Sequence, residues 1–233
     1  SYLDSIFQRI SELILVTIQN IQPTINPDDA TKPLVALNAL IRNCSNFCDQ
    51  QVSELLNELI RILQNQECCI LLVSPICLAI CTILMKIKNI IEPSIAESLL
   101  NPFIKLIDVT TQEPTSFQQN GAEFDLEIWE STFLVIANLI DLGAVTNSGI
   151  VLIITNSIFN ALYCGDIRLT KTSLKVLGKL YLNIPPEAME QFIDKTLSII
   201  TYLITSVFIE RDLSFTSSVI FLYSTILERL GSN

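Results

Sequence analysis

Apolar residues recur at intervals of three and four positions along almost the whole 233-residue chain. Val52, Leu55, Leu56, Leu59 and Leu63, for example, share one helical stripe. Only six glycines and nine prolines interrupt the chain, which favours long helices over many short strands joined by turns. The pattern therefore predicts an all-α protein of about ten helices.

The spacing of these helices indicates a repeat. Pairing consecutive helices places the first helix of each pair near residues 3, 49, 93, 147 and 187. A two-helix unit of this length cannot bury its own apolar face, whereas stacked units bury one continuous core. We therefore predict an α-solenoid of about five antiparallel helix pairs, forming a single domain over residues 1–233. Because the chain starts at Ser1 and is helical in pattern from Tyr2, we expect a fragment of a longer repeat protein.

Composition narrows the classes of function. With 14 basic and 24 acidic side chains, the net charge of -10 opposes nucleic acid and anionic membranes and suits basic partners. The sequence has no histidine, which excludes Ser/His/Asp and Cys/His catalysis. It also has no glycine-rich phosphate loop. We predict no enzyme activity and no cofactor. Seven cysteines without a framework spacing are typical of reduced thiols, so we expect an intracellular protein, cytoplasmic or nuclear.

Two uncharged stretches leave a multi-pass membrane protein as a remote alternative. Cys68 to Met85 and Leu142 to Gly165 are each long enough to cross a bilayer. The first contains Ser74-Pro75 and the second several Asn, Ser and Thr residues, which are costly when they face lipid. Charges of both signs flank the stretches, so no orientation is favoured. Buried solenoid helices explain them better.

Two cysteine pairs have a spacing that brings both thiols to one helix face. Cys44 with Cys48 and Cys77 with Cys81 could together supply four thiolates to zinc. Structural zinc sites more often use two-residue spacings in turns, and cysteine among Ile, Leu and Ala behaves as a small apolar residue. Core packing is therefore the preferred interpretation, and we predict no metal site.

An acidic cluster surrounds the only tryptophan. Asp125 lies one helical turn from Trp129, and Glu127 lies close to one turn from Glu130. Carboxylates beside an indole could clamp a Lys- or Arg-rich segment by ion pairs and cation–π contact. Alternatively, Trp129 packs inward and the acids simply stabilise the start of a helix.

A basic stripe is the second candidate partner-binding surface. Arg168, Lys171, Lys175 and Lys179 share one helical face. They could receive an acidic or phosphorylated peptide, or they could pair with acids of the neighbouring repeat.

The segment that carries this stripe resembles the second helix of a HEAT repeat. It begins at Asp166 and ends in Leu177-Gly178-Lys179-Leu180, which is similar to the Leu-Gly-x-Leu pattern of that superfamily. Asn101 to Leu106 looks like the proline-kinked first helix of such a unit. Pro186 to Asp194 is similar to the helix entries of the importin-β (karyopherin) group. The resemblance implies a right-handed HEAT or armadillo superhelix, and a segment of a nuclear transport receptor as the most specific role.

These features predict a non-catalytic scaffold that binds protein partners, with a basic or helical peptide segment held by the second helices of the pairs. Flanking repeats or other subunits are expected, and no nucleic acid. The alternative is a structural HEAT subunit of a larger assembly, either chromosome-organising or kinase-associated. An exposed apolar end of the stack would favour that alternative.

Overall fold

The computed structural model of the protein describes residues 2–20, 27–43, 49–64, 70–88, 91, 93–111, 122–205 and 212–231. The chain forms two compact units, residues 1–92 and 93–233. The helices of the first unit are α1 (Tyr2–Gln19), α2 (Pro27–Asn43), α3 (Asp49–Gln64) and α4 (Ile70–Ile87).

The second unit begins with α5 (Pro93–Thr111), α6 (Ala122–Asp141), α7 (Ser148–Leu162) and α8 (Ile167–Asn183). A short helix, α9 (Pro186–Met189), continues through a 3-10 turn (Glu190–Phe192) into α10 (Ile193–Ile204), and α11 (Leu213–Gly231) follows. Every regular element of the described residues is helical, which confirms the predicted all-α class.

Each unit is a stack of helix pairs. Consecutive helices pack together as α1 with α2, α3 with α4, α5 with α6, α7 with α8, and α10 with α11. The second helices of successive pairs also pack side by side: α2 with α4 in the first unit, and α6, α8 and α11 in the second. First helices form the other layer, as α1 with α3 and α5 with α7. This packing confirms the α-solenoid prediction; that the chain is a single domain stays a prediction.

The second helices run parallel, and hydrogen bonds show their register. The Thr82 hydroxyl donates to Asn38 at 2.7 Å, and the Lys86 ammonium donates to the Arg42 carbonyl at 2.9 Å, both across 44 residues of sequence. In the second unit, Lys179 reaches the Ala137 carbonyl 42 residues away. Contacts between parallel helices at this nearly constant separation are the structural form of the repeat inferred from the sequence.

The core of the second unit is built on large aromatic side chains, one from each of several helices. Phe103 of α5, Phe133 of α6, Phe159 of α7 and Phe215 of α11 are at most 1% exposed. Burying a side chain of this size contributes roughly 1.5–3 kcal/mol. Because the four rings come from three successive helix pairs, the apolar faces depend on stacking, as expected for helices this apolar.

The end of α6 and the start of α8, which lie on either side of α7, follow simple local rules. Gly143, with φ of 75°, follows α6, and its N–H and that of Ala144 bond to the Ile140 and Leu139 carbonyls. This arrangement needs a residue in the left-handed region, which glycine adopts without strain. Asp166 caps α8, because its carboxylate accepts a hydrogen bond from the Leu169 N–H at 2.8 Å.

The second helix begins at Pro27, because proline at the first helical position loses no hydrogen bond. The last helix extends to Gly231. The first helix of the last pair is divided into α9, the 3-10 turn and α10.

The two uncharged stretches have different structures. Most of the first lies in α4, and the second contains α7 together with the turns on both sides of it. No helix within the described ranges combines the length and the apolarity that crossing a bilayer requires.

Candidate functional site

The acidic cluster lies on α6 and does not form one exposed clamp. Trp129 is 4% exposed and meets the Phe133 ring edge-on, with the centroids 6.0 Å apart. The indole therefore packs inward, as the alternative interpretation described. Glu127 is exposed and Glu130 half-buried. The side chain of Asp125 lies outside the described residues, and partner binding by the acids stays a prediction.

Glu130 connects this cluster to the basic stripe. Burial raises the pKa of the Glu130 carboxyl, the Arg168 guanidinium opposes that shift, and the charges of Asp166 and Glu127 add to it. Arg168 is itself exposed at the start of α8. The two sequence clusters are therefore neighbours in space, joined at the amino-terminal turn of α8.

Two lysines of the stripe tie α8 to the helices on either side. Lys179 forms an ion pair with Asp141 of α6, and their side chains are 16% and 24% exposed. Lys171 forms an ion pair with Asp212, just before α11, at 2.7 Å. The Lys171 hydrogen bond, followed by the Phe215 N–H, lowers the pKa of Asp212. These lysines pair with neighbouring repeats, as one of the two interpretations proposed.

Lys175 behaves differently from the other lysines of the stripe. It lies midway between Lys171 and Lys179 on the same face of α8, and its side chain is exposed. In the portion of the chain that is described, it forms no ion pair or hydrogen bond. Its ammonium group is thus available to a ligand.

Lys175 lines an open groove of about 410 Å³ between the second helices of the second unit. The groove has one wall from α6, a floor from α8 and one wall from α11. Its lining residues are Leu134, Lys171, Thr172, Lys175, Ser214, Ser217, Ser218 and Phe221. Two ammonium groups, four hydroxyls and two apolar side chains therefore meet in one depression.

Gly178 sets the approach of the α11 wall. A Cβ atom at this position would lie 2.9 Å from the Phe221 ring, which is closer than real Cβ contacts allow. The absence of a side chain lets Phe221 pack onto α8 with its ring 46% exposed beside the groove. The glycine of the Leu-Gly-x-Leu segment thus has a packing role, between Leu177 and Leu180 that are both fully buried.

Sequence reasoning found Lys171 and Lys175 but missed the other groove residues. Thr172, Phe221 and the α11 serines belong to no charge cluster or motif, and only the packing of α8 against α11 brings them together. Gly178 was a usable signal, because a glycine inside a helix often marks the close approach of another element.

Of the two cysteine pairs, the one that the structure describes is packed in the core. Cys77 and Cys81 are buried at 0% and 7% exposure among apolar residues of α4. Cys44 and Cys48 lie outside the described residues. Within the ranges that are described, no three His, Cys, Asp or Glu side chains are placed to hold a metal ion.

Comparison with known proteins identifies a fold but no family. No family model matches the chain, and no curated protein matches it significantly. Among solved structures, the chain is similar to the crystal structure of an engineered protein from the Northeast Structural Genomics Consortium, with a TM-score of 0.54 and 14% identity. The alignment covers 94% of this chain and 98% of that one. At this identity the likeness shows a shared fold alone.

The different positions of Lys175 and Lys179 predict different effects on stability. Lys179→Met removes the partner of the half-buried Asp141 and should lower the free energy of unfolding by roughly 1–2 kcal/mol, between the values for surface and buried pairs. The matched variant Lys175→Met should change it by less than about 0.5 kcal/mol. Urea unfolding followed by circular dichroism measures both. Equal effects of the two variants would contradict these assignments.

The raised pKa of Glu130 predicts a pH-dependent gain for Glu130→Gln. A carboxyl whose pKa is raised on folding stabilises the fold fully below its unfolded pKa, and this contribution is lost as the pH rises through its folded pKa. Glu130→Gln should therefore be more stable than the wild type at pH 7, with the gain disappearing below about pH 4, where both states are protonated.

Thermal unfolding across pH 3–8 checks this expectation. The control is Glu187→Gln, which removes an exposed carboxylate from the same unit. A gain for Glu130→Gln that persists unchanged at pH 3, or an equal gain for the control, would count against burial of the Glu130 charge.

Proposed function

We propose that this protein is a non-catalytic scaffold that binds a segment of a protein partner along the second helices of its second unit. The observation that carries the proposal is that all eight residues lining the groove come from α6, α8 and α11. Helical repeats commonly use one layer of helices as an extended binding surface. Six of the eight lining residues carry an ammonium or hydroxyl group and two are apolar, so the groove offers hydrogen-bond donors beside apolar contact area.

The different roles of the three lysines on α8 support this proposal. Lys171 and Lys179 fasten the helix to its neighbours, and Lys175 between them remains available. A ligand that lies along α8 would therefore meet a surface held in place by two ion pairs. Preorganisation of this kind lowers the cost of ordering the site on binding.

The most specific form of the proposal is a segment of a nuclear transport receptor of the importin-β type, acting in the cytoplasm and nucleus. It is supported by the resemblance of Asp166 to Leu180 and of Pro186 to Asp194 to repeats of that group. Fold likeness supports architecture better than role, so the binding function is the main proposal.

A structural subunit of a larger assembly is the second candidate, and one surface of α11 favours it. Leu213, Ile220, Tyr223 and Leu227 are between 44% and 87% exposed and follow helical spacing along one face. An exposed apolar stripe of this kind is typical of surfaces that pack against another protein. A further repeat or subunit could stack on this stripe, which is a different surface of α11 from the one that lines the groove.

Affinity capture with charge-reversed variants tests the main proposal. Wild-type protein, Lys175→Glu and Lys105→Glu are immobilised, and proteins retained from a lysate of the source cells are identified by mass spectrometry. Lys105 is an exposed lysine on α5, in the layer of first helices, so the two variants carry the same substitution on different layers.

Lys175→Glu should lose a set of partners that wild type and Lys105→Glu both retain, because the reversal replaces the available positive charge of the groove with a negative one. Circular dichroism should show the same helicity for all three. If Lys175→Glu retains the full set, the groove is not the binding surface. If a set depends instead on Leu213 and Ile220, each changed to Lys, the structural-subunit candidate is favoured.

A further inference from the structure

The charge of the groove indicates which partner it suits. Although the chain carries a net charge of -10, both charged side chains that line the groove are lysines. Lys171 is neutralised by Asp212 at 2.7 Å, and Asp212 also accepts the Phe215 N–H at 3.0 Å. Lys175 therefore supplies one positive charge that the described residues do not balance. A ligand group with a single negative charge would complement it.

Thr172 provides a second, independent feature. It lines the groove, is 8% exposed, and its hydroxyl makes no hydrogen bond within the described residues. Thr170 and Thr196 of the same unit instead donate to backbone carbonyls, Thr170 to that of Asp166 at 2.7 Å and Thr196 to that of Phe192 at 2.8 Å. Among the described residues of this unit, Thr155 and Ser173 hold the fully enclosed hydroxyls that lack a partner, whereas the Thr172 hydroxyl keeps access to the groove and can donate to a ligand oxygen there.

The Thr172 hydroxyl and the Lys175 ammonium are placed to donate hydrogen bonds to the same ligand oxygen or carboxylate. Thr172 and Lys175 are three residues apart on α8, so their side chains are neighbours on the same helix face. The half-buried Leu134 on one wall and the 46% exposed Phe221 on the other offer apolar contact beside them. A ligand that carries an anionic group next to an apolar side chain would contact all four residues.

We propose that the groove binds a peptide segment that carries an aspartate or glutamate next to a large apolar residue. The carboxylate accepts hydrogen bonds from the Lys175 ammonium and the Thr172 hydroxyl, and the apolar side chain packs between Leu134 and Phe221. A phosphoryl group would bring up to two negative charges to one unbalanced lysine, which favours the carboxylate. This inference rests on the proposed binding function and adds the chemistry of the partner.

A random twelve-residue peptide library displayed on phage, selected against the full chain, tests the assignment because it offers acidic, basic and apolar segments alike. Enriched peptides should contain Asp or Glu within two positions of Leu, Ile, Phe or Met. The most enriched sequence is then synthesised with a fluorophore, and its affinity is measured by fluorescence anisotropy. Two further versions carry Gln in place of the acid and phosphoserine in its place.

The Gln version of the peptide and the protein variant Lys175→Met should each bind about tenfold more weakly, as expected when a charge-assisted hydrogen bond is lost. Thr172→Val, which keeps the shape but removes the hydroxyl, should weaken binding about fivefold. Lys105→Met should bind as the wild type does. Circular dichroism of each variant separates lost binding from lost folding.

Three outcomes would overturn the inference. The first is that no peptide is enriched, or that enriched peptides lack an acid. The second is that they bind Lys175→Met as tightly as the wild type. The third is that the phosphoserine version binds more tightly than the acidic one, which would assign the groove to phosphorylated segments. The proposed function is judged separately by the lysate capture, which depends on the groove but not on the carboxylate.

Discussion

The second unit depends on α8 being enclosed on two sides. Ten of its 17 residues are buried, and it packs against α6, α7 and α11. A helix pair cannot shield this much apolar surface alone, so α8 is stable only when its neighbours in the second-helix layer are present. Its ends are held by the Asp166 cap and by the Lys179–Asp141 ion pair. The other helices of this unit are arranged around that requirement.

The same helix also explains how a surface for binding arises within a stack. Positions that face α6 and α11 are used for packing or for ion pairs, whereas positions between the two walls face the groove. Gly178 lets Phe221 approach closely, and Lys175 and Thr172 lie on the floor between the walls. The binding proposal therefore requires no element beyond those that hold the stack together. Two features mark the floor: the Lys175 ammonium and the Thr172 hydroxyl, both of which the described residues leave without partners.

Much of this fold could be predicted because it depends on local patterns. Helical periodicity, the cap at Asp166 and the repeat spacing are all readable over short windows of sequence. The groove could not be predicted, because Thr172 and Phe221 are 49 positions apart and become neighbours only through the register of α8 against α11. For the same reason the sequence left two interpretations of the basic stripe. Lys179 pairs with an acid on α6 and Lys171 with an acid just before α11, whereas Lys175 has no such partner among the described residues, although all three share one helical face.

Hydrogen–deuterium exchange, resolved by peptide, tests the central role of α8 most directly. Exchange of a buried helix amide reports the free energy of the opening that exposes it. We expect the amides of Leu174 to Leu180 to exchange at least about tenfold more slowly than those of Val219 to Ile226 on α11, because α11 leaves one face exposed. Equal or faster exchange in α8 would contradict the account, since the helix would then not be the shared support of the second unit.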